Sequence, residues 1–337
     1  MQVGTEEVAI AVPVRNEARR LPRLLAALAR QRQAPRFALC VYLDNCHDGS
    51  AALLASWAAG APFAIHTSED RSGRPPNAGA ARRDAMALAG RISPEGVLLT
   101  TDADSEPADG WITANLAALD HADLVAGRIV RGVGRPAEVQ AQMERYLDRL
   151  HALRRALDPV GWEAPVTHHW TSAASLAMHA ATYRRVGGFP PCATGEDAAL
   201  VDAAARLGLR TRRDAAVVVR TSARRRSRIK GGFASALAAG DAAEQLPCVA
   251  HPEDEAWRYA QHAVARARHG AEDCAPLAEA LALPLAEVRQ VAAECANGEA
   301  FAARIVGAPP GGMRRVPLDH AERLLDGLEA GLLRGAA

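Results

Sequence analysis

Four short apolar runs constrain this chain more than any other feature, because helical periodicity separates each from the next. VAIAVPV (8–14), FALCVYLD (37–44), the run at Phe63–His66 and GVLLTTDAD (96–104) are rich in β-branched and aliphatic residues. They do not alternate with polar residues, so they read as strands covered on both faces. Leu21, Leu24, Leu25 and Leu28 recur at helical spacing, and Pro22 suits a first turn. A second helix is expected around 50–59. The stretch 68–83, SEDRSGRPPNAGAARR, opens as a Gly/Pro loop and passes into a third helix ending near Gly90. Strand alternating with helix predicts an α/β fold built on a mostly parallel sheet with helices on both faces.

Further along, 138–157 reads as an amphipathic helix and TSAASLAMH (171–179) as a strand of small residues. GEDAALVDAAARLG (195–208) reads as a helix closed by Gly208, and RDAAVVVRTS (213–222) as a strand. The basic loop 223–232 follows, with Arg224, Arg225, Arg226, Arg228 and Lys230. After about residue 240 only helices are expected. The organisation is therefore a domain over 1–240 and a helical C-terminal region over 241–337, whose apolar faces in LAEALALPLAEVRQVAAE need burial and suit self-association or the acceptor side.

Bulk properties exclude several classes. Charged residues make up 23% with a formal net charge of +1, so neither nucleic acid nor an anionic membrane is attracted in general. Aromatic content is 4%, too little for a base-stacking platform. None of the six cysteines is spaced as CxxC, which argues against a zinc site or redox pair. No apolar run approaches the roughly 18 residues of a membrane span, and the N-terminus lacks the pattern of a signal peptide. A cytoplasmic protein is expected, with peripheral attachment at a membrane left open.

In such sheets ligands bind at the carboxyl ends of strands. Three runs here end in polar residues: Arg15-Asn16-Glu17, Asp44-Asn45 and Asp102-Ala103-Asp104. Read as extended chain, Asp102 and Asp104 project to the same side. Two carboxylates so placed suit Mn²⁺ or Mg²⁺, whose other positions phosphate and water can fill. The alternative is a pair that shapes a turn and caps the helix after Pro107. In TGEDAAL, Thr194 and Asp197 have capping-box spacing, while Glu196 or Asp197, at a helix N-terminus, could serve as general base. His168 and His169 beside Trp170 are either structural or on an acceptor side. The basic loop suits a diphosphate, or solvent alone.

Taken in order, VPVRNE, LDNCHDGS, NAGAARRDA, TTDADS, YRRVGGF and GEDAAL resemble the family 2 glycosyltransferases of the GT-A fold, over about residues 8–235. The resemblance implies a Rossmann-like nucleotide-binding half (about 1–106) and an acceptor half (about 107–240). It implies a nucleotide-sugar donor met by Pro13, Glu17, Asp44, Arg82 and Asp102, and a metal held by Asp104. It also implies a base at Asp197 with Glu196 beside it, and a turn at Gly187, Gly188 and Phe189 before the catalytic helix. The acceptor would be a small molecule, a glycan or a lipid-linked group. Three features depart from the family pattern. Leu43 stands where a second acid is usual, TSAASLAMH lacks Gly-x-Asn, and RTSARRRSR stands only in the region of QxxRW. The expected chemistry is inverting sugar transfer. The alternatives are a sugar-phosphate nucleotidyltransferase, which the glycine-free VPVRNEARR disfavours, and a non-catalytic nucleotide-sugar-binding scaffold.

Overall fold

The computed structural model describes residues 7–131, 138–221 and 246–335. The basic loop at 224–230 and the boundary expected at 240 lie outside the described residues. The rest divides into two units. One takes in described residues up to 131 together with 162–203 and 211–221; the other takes in 138–161, 204–210 and the described residues from 246 on.

The first unit is built on an eight-stranded sheet. Its strands are β1 (Val8–Val14), β2 (Phe37–Asp44), β3 (Ala64–Asp70), β4 (Val97–Thr100), β5 (Ser105–Pro107), β6 (Leu124–Arg131), β7 (Leu176–His179) and β8 (Thr211–Thr221), in the order β3-β2-β1-β4-β7-β6-β8-β5. β1 pairs in parallel with β2 and β4, β2 with β3, and β6 with β8. β7 runs antiparallel to both neighbours, β4 and β6, and β5 is antiparallel to β8. Every residue of β4 and all but Pro13 of β1 are buried, as the unbroken apolar runs require.

The helices follow the periodicity. α1 (Leu21–Ala29) lies against β5 and buries Leu21, Leu24, Leu25 and Leu28 in the core that β1 and β2 share, with proline in its first turn. Each such leucine contributes about 1.5–3 kcal/mol by leaving water. α2 (Ser50–Ala58), α3 (Ala78–Ile92) and α4 (Trp111–Leu119) alternate with the strands. α3 starts where the Asn77 side chain accepts the Ala80 N–H at 2.9 Å. Gly79 in its first turn has a specific reason: a Cβ there would meet Pro190 O at 2.1 Å and Cys192 O at 2.8 Å. Only glycine lets the 190–192 backbone cross this helix so closely. α6 (Ala180–Val186) and α7 (Glu196–Arg206) follow β7.

Two expectations need correction. TSAASLAMH is not strand throughout: Ala173–Ser175 form a 3₁₀ turn, capped by Ser172, before β7. Asp102 and Asp104 lie beyond the end of β4, in a turn closed by the Ser105 N–H on Asp102 O at 3.1 Å. The extended-chain argument for their shared orientation therefore does not apply.

In the second unit, α5 (Glu138–Leu157) buries Met143, Tyr146, Leu150 and Leu153 with Leu318, Ala321 and Leu325 of α12 (Leu318–Gly335). α8 (Pro252–Arg268), α9 (Ala275–Leu281), α10 (Leu285–Glu294) and α11 (Gly298–Ile305) form a further core around Leu277, Val288 and Phe301. The region is not helical only: β9 (Cys248–Ala250) pairs antiparallel with β10 (Arg315–Pro317). Among the described residues no helix is long and apolar enough to cross a membrane.

Candidate active site

The chain leaves β1 and β2 through two asparagines in the left-handed region, Asn16 at φ 55° and Asn45 at φ 49°. Asparagine tolerates this conformation better than most side chains, and here the side chains knit the loops together. Asn16 Oδ1 accepts the His47 N–H at 2.7 Å, and Asn45 Oδ1 accepts the Gly73 N–H at 2.5 Å. Between them sits Asp44, 3% exposed. Its Oδ2 accepts from Arg15 Nη1 at 3.0 Å, and its Oδ1 from Asn45 Nδ2 at 3.0 Å with Arg74 Nε at 3.5 Å. Arg74 also reaches Asp70 at 3.1 Å, Asp84 at 2.8 Å and the Tyr42 hydroxyl at 2.9 Å. Burial first, then Asp84, raises the Tyr42 pKa above the usual phenol value, so the hydroxyl keeps its proton. Sequence reasoning missed Arg74, Tyr42 and Asp84. The available signal was an arginine in a Gly/Pro loop directly after an acid-ended strand.

Pro13 is half-buried in β1, opposite Tyr42 in register. Glu17 is buried; its N–H donates to Ser50 Oγ at 3.1 Å and its carboxylate faces Arg20 at 3.5 Å.

A second cluster forms around Arg82 on α3. Its Nη1 donates to Thr100 Oγ1 at 2.7 Å and to Ala173 O at 3.3 Å, and its Nη2 to Asp102 Oδ1 at 2.5 Å. Nε lies 3.7 Å from Glu196 Oε1. The guanidinium stands over the fully buried Phe189 ring at 5.9 Å. Burial alone would lower the Arg82 pKa; Asp102 and Glu196 more than offset it, and the value stands above the arginine norm. Burial pushes the Glu196 carboxyl above the usual range, opposed in part by Arg82.

Glu196 and Asp197 open α7 as expected. Asp197 Oδ2 accepts the Ala173 N–H at 3.4 Å and Oδ1 its neighbour Ala198 N–H at 2.8 Å. Asp102, Glu196 and Asp197 are thus brought together through Arg82 and residue 173. Gly187 and Gly188 are both left-handed, at φ 88° and 77°. The turn they make delivers the Phe189 N–H to the Tyr183 hydroxyl at 3.2 Å and the Phe189 carbonyl to Arg83 Nη1 at 3.2 Å. Phe189 therefore packs beneath Arg82 and offers no surface to an acceptor. His168 is 3% exposed, and its Nδ1 accepts the Trp170 N–H at 3.1 Å. Burial, then Arg213, lowers its pKa to about 4. The His169 ring meets Trp170 tilted by 32° at 4.6 Å, and Arg131 lies over the same indole at 5.4 Å.

The donor set can be tested against a divalent cation. Among the described residues no group of three or more His, Cys, Asp or Glu side chains is poised to hold one. Asp102 and Asp104, both half-buried in one turn, supply hard carboxylate oxygens of the kind Mg²⁺ or Mn²⁺ accepts, one or two at a time, beside phosphate oxygens. The residues fit a cation that arrives with a diphosphate, and not one held by protein alone.

Residues 9–173 match the family model described as Glycosyl transferase family 2. No curated protein matches. Among solved structures, residues 1–349 of Staphylococcus aureus TarS, in complex with UDP-GlcNAc, share the fold at a TM-score of 0.50. The sequences are 17% identical, with 85% of this chain and 78% of that one covered. The Pyrobaculum calidifontis mannosyltransferase PcManGT, in complex with GDP-Man and Mn²⁺, is 20% identical over 88% of this chain and 86% of its own, with a TM-score of 0.48.

Proposed function

The chain carries a domain of glycosyl transferase family 2 and is a glycosyltransferase, and on that premise we propose that it transfers a sugar from a nucleotide sugar to an acceptor hydroxyl with inversion at the anomeric carbon. One observation carries the reading: Arg82 joins Asp102, on the turn after β4, to Glu196, on the helix of the acid pair. This shared guanidinium supports placing a donor-side acid and an acceptor-side acid in one site.

Asp44, buried and ionically framed, receives the nucleobase, whose N–H groups suit a carboxylate. Arg15 and Arg74 hold that carboxylate in place. Asp102 would face the ribose, and Asp104 with it would hold a divalent cation accompanying the diphosphate. When bound, that cation would supply charge stabilisation for the departing nucleotide. Asp197, at the positive end of α7, takes the acceptor proton. The acceptor oxygen forms its bond to the anomeric carbon on the face opposite the leaving diphosphate, whose glycosidic C–O bond breaks. That TarS, in the same fold, holds UDP-GlcNAc supports a nucleoside diphosphate sugar as the donor class.

A panel of nucleotide sugars in thermal-shift assays with and without Mn²⁺, followed by transfer assays on each that binds, tests this. The expected result is one stabilising donor whose sugar moves to an acceptor or, slowly, to water. Stabilisation by donors with no release of nucleoside diphosphate under any condition would favour a binding scaffold.

A further inference from the structure

Arg82 was expected, by resemblance, among the residues that approach the nucleotide. Its surroundings suggest another task. The side chain leaves α3 one turn after Gly79, where the 190–192 backbone crosses the helix. It is 5% exposed. One edge of the guanidinium is occupied by Thr100, Ala173 and Asp102, the Nε edge faces Glu196 as an ion pair at 3.7 Å without a hydrogen bond, and one face lies over Phe189. A cation so enclosed, with two carboxylates already against it, has little left to give a phosphate, which recruits arginine through an open bidentate fork.

The same contacts separate the roles of two adjacent acids. Neighbouring residues on an α-helix point about 100° apart. With Glu196 turned inward to Arg82, Asp197 is turned elsewhere, and its Oδ2 meets the Ala173 N–H. Residue 173 thus takes Arg82 on its carbonyl and Asp197 on its N–H. We propose that Arg82 is a positioning residue and not a donor ligand: it fixes Asp102 and Glu196 on its two edges, and by holding Glu196 it leaves Asp197 as the acid that faces the acceptor. The proposal rests on the sugar-transfer reading above. Glu196 on this view is an anchor that never exchanges a proton with substrate. Asp102 receives the donor in a fixed rotamer because its other contact is a buried guanidinium.

A double-mutant cycle on the full chain tests it, reading kcat, KM and the affinity for nucleoside diphosphate by titration calorimetry. Arg82→Met is expected to lower kcat about 10²-fold, the scale of a misplaced catalytic group, with nucleoside diphosphate affinity within about threefold of the parent. Glu196→Gln alone is expected to cost about tenfold in kcat, and the double variant no more than Arg82→Met alone, since both remove one contact. Arg82→Lys keeps the charge but cannot span two carboxylates, so its kcat falls between parent and Arg82→Met. Should Arg82→Met fail to fold by circular dichroism, Arg82→Lys with and without Glu196→Gln completes the same cycle. Losses that multiply in the double variant overturn the proposal. So does a weakening of nucleoside diphosphate binding by tenfold or more in both Arg82 variants that persists in an Asp102→Asn background, where the loss can no longer come through Asp102. A parent that transfers sugar while the cycle multiplies condemns the proposal alone. A parent inactive with every donor takes down the functional reading, and the proposal with it.

Discussion

The two units of this protein arrange their charges differently. In the sheet unit, Arg15 and Arg74 share Asp44, Arg74 reaches Asp70 and Asp84 besides, and Arg82 meets both Asp102 and Glu196. α3 links the two clusters, since Asp84 and Arg82 are both on it. In the helical unit, Arg149, Arg266 and Arg314 share no acid, and each forms a separate strut with acids of its own. Arg266 ties Asp158 to Glu299, Arg149 on α5 meets Asp326 and Glu329 on α12, and Arg314 clasps Asp254 at the start of α8. The composition is similar and the arrangement is not. Charges gathered in this way shift one another, as Asp102 and Glu196 do to Arg82 and Arg82 to Glu196. Charges spread between pairs of elements fix how those elements meet, and their worth shows only when one partner is removed.

The sharpest test of that contrast is at Asp197. Asp197→Asn keeps the helix cap but cannot take a proton, so kcat falls on the order of 10²–10⁴-fold with donor affinity retained. A variant that keeps parental turnover leaves the acid pair of α7 as a cap alone. In the other unit, Asp158→Ala leaves Arg266 with Glu299 as its one remaining acid and is expected to cost about 1.5–3 kcal/mol in urea unfolding. In the variant that remains folded, donor binding should stay at the parental level. A loss of binding there would mean that the struts reach the chemistry and the contrast is false.

Acid offers the next test. His168 has an ordinary value of 6.5 and is held at about 4. Its folded pKa is depressed, so its contribution is whole above pH 6.5 and drains away as pH falls toward 4. The loss is about 3 kcal/mol, from 1.36 kcal/mol per pKa unit. Urea midpoints at pH 7 and pH 4.5 should diverge in the parent and draw together in His168→Gln. If the variant keeps the full acid sensitivity, His168 is not the group responsible. The smallest effect is expected at Asp104. Asp104→Ala should remove the Mn²⁺ dependence of nucleoside diphosphate binding, about tenfold or 1.4 kcal/mol. Unchanged dependence would move the cation to other ligands.

Much of the sheet unit was legible in sequence, because a strand buried on both faces writes itself as an apolar run and an amphipathic helix as a spaced leucine pattern. β1, β2, β4, α1 and α7 were readable on that ground alone. The turn at Asp102–Asp104 was not. Nothing in TTDAD distinguishes a strand's last residues from the turn that follows, because the deciding bond joins the Ser105 N–H to Asp102 O. Nor could local pattern show that Arg82 turns inward or that Arg74 serves three acids, since those partners arrive from distant segments. The companionship of 138–161 with the C-terminal helices was hidden likewise: the apolar stripe of α5 announces a partner without saying which. Gly79 looked like one more residue of a Gly/Pro loop until the 190–192 backbone was seen crossing it.

The antiparallel β7 carries a consequence for how the molecule is made. β4 is covered on one side by β1, whose pairings lie within the first 100 residues, and on the other by β7, which begins at Leu176. At a synthesis rate of 5–20 residues per second, roughly 4–15 s separates the two. For that interval a nascent chain presents the open edge of a largely apolar strand, VLLT, the kind of edge that recruits other strands. The bond from Arg82 to Ala173, spanning 91 residues, comes no earlier. The β3-β2-β1-β4 part of the sheet can therefore be paired, and vulnerable, before the acids of α7 have left the ribosome.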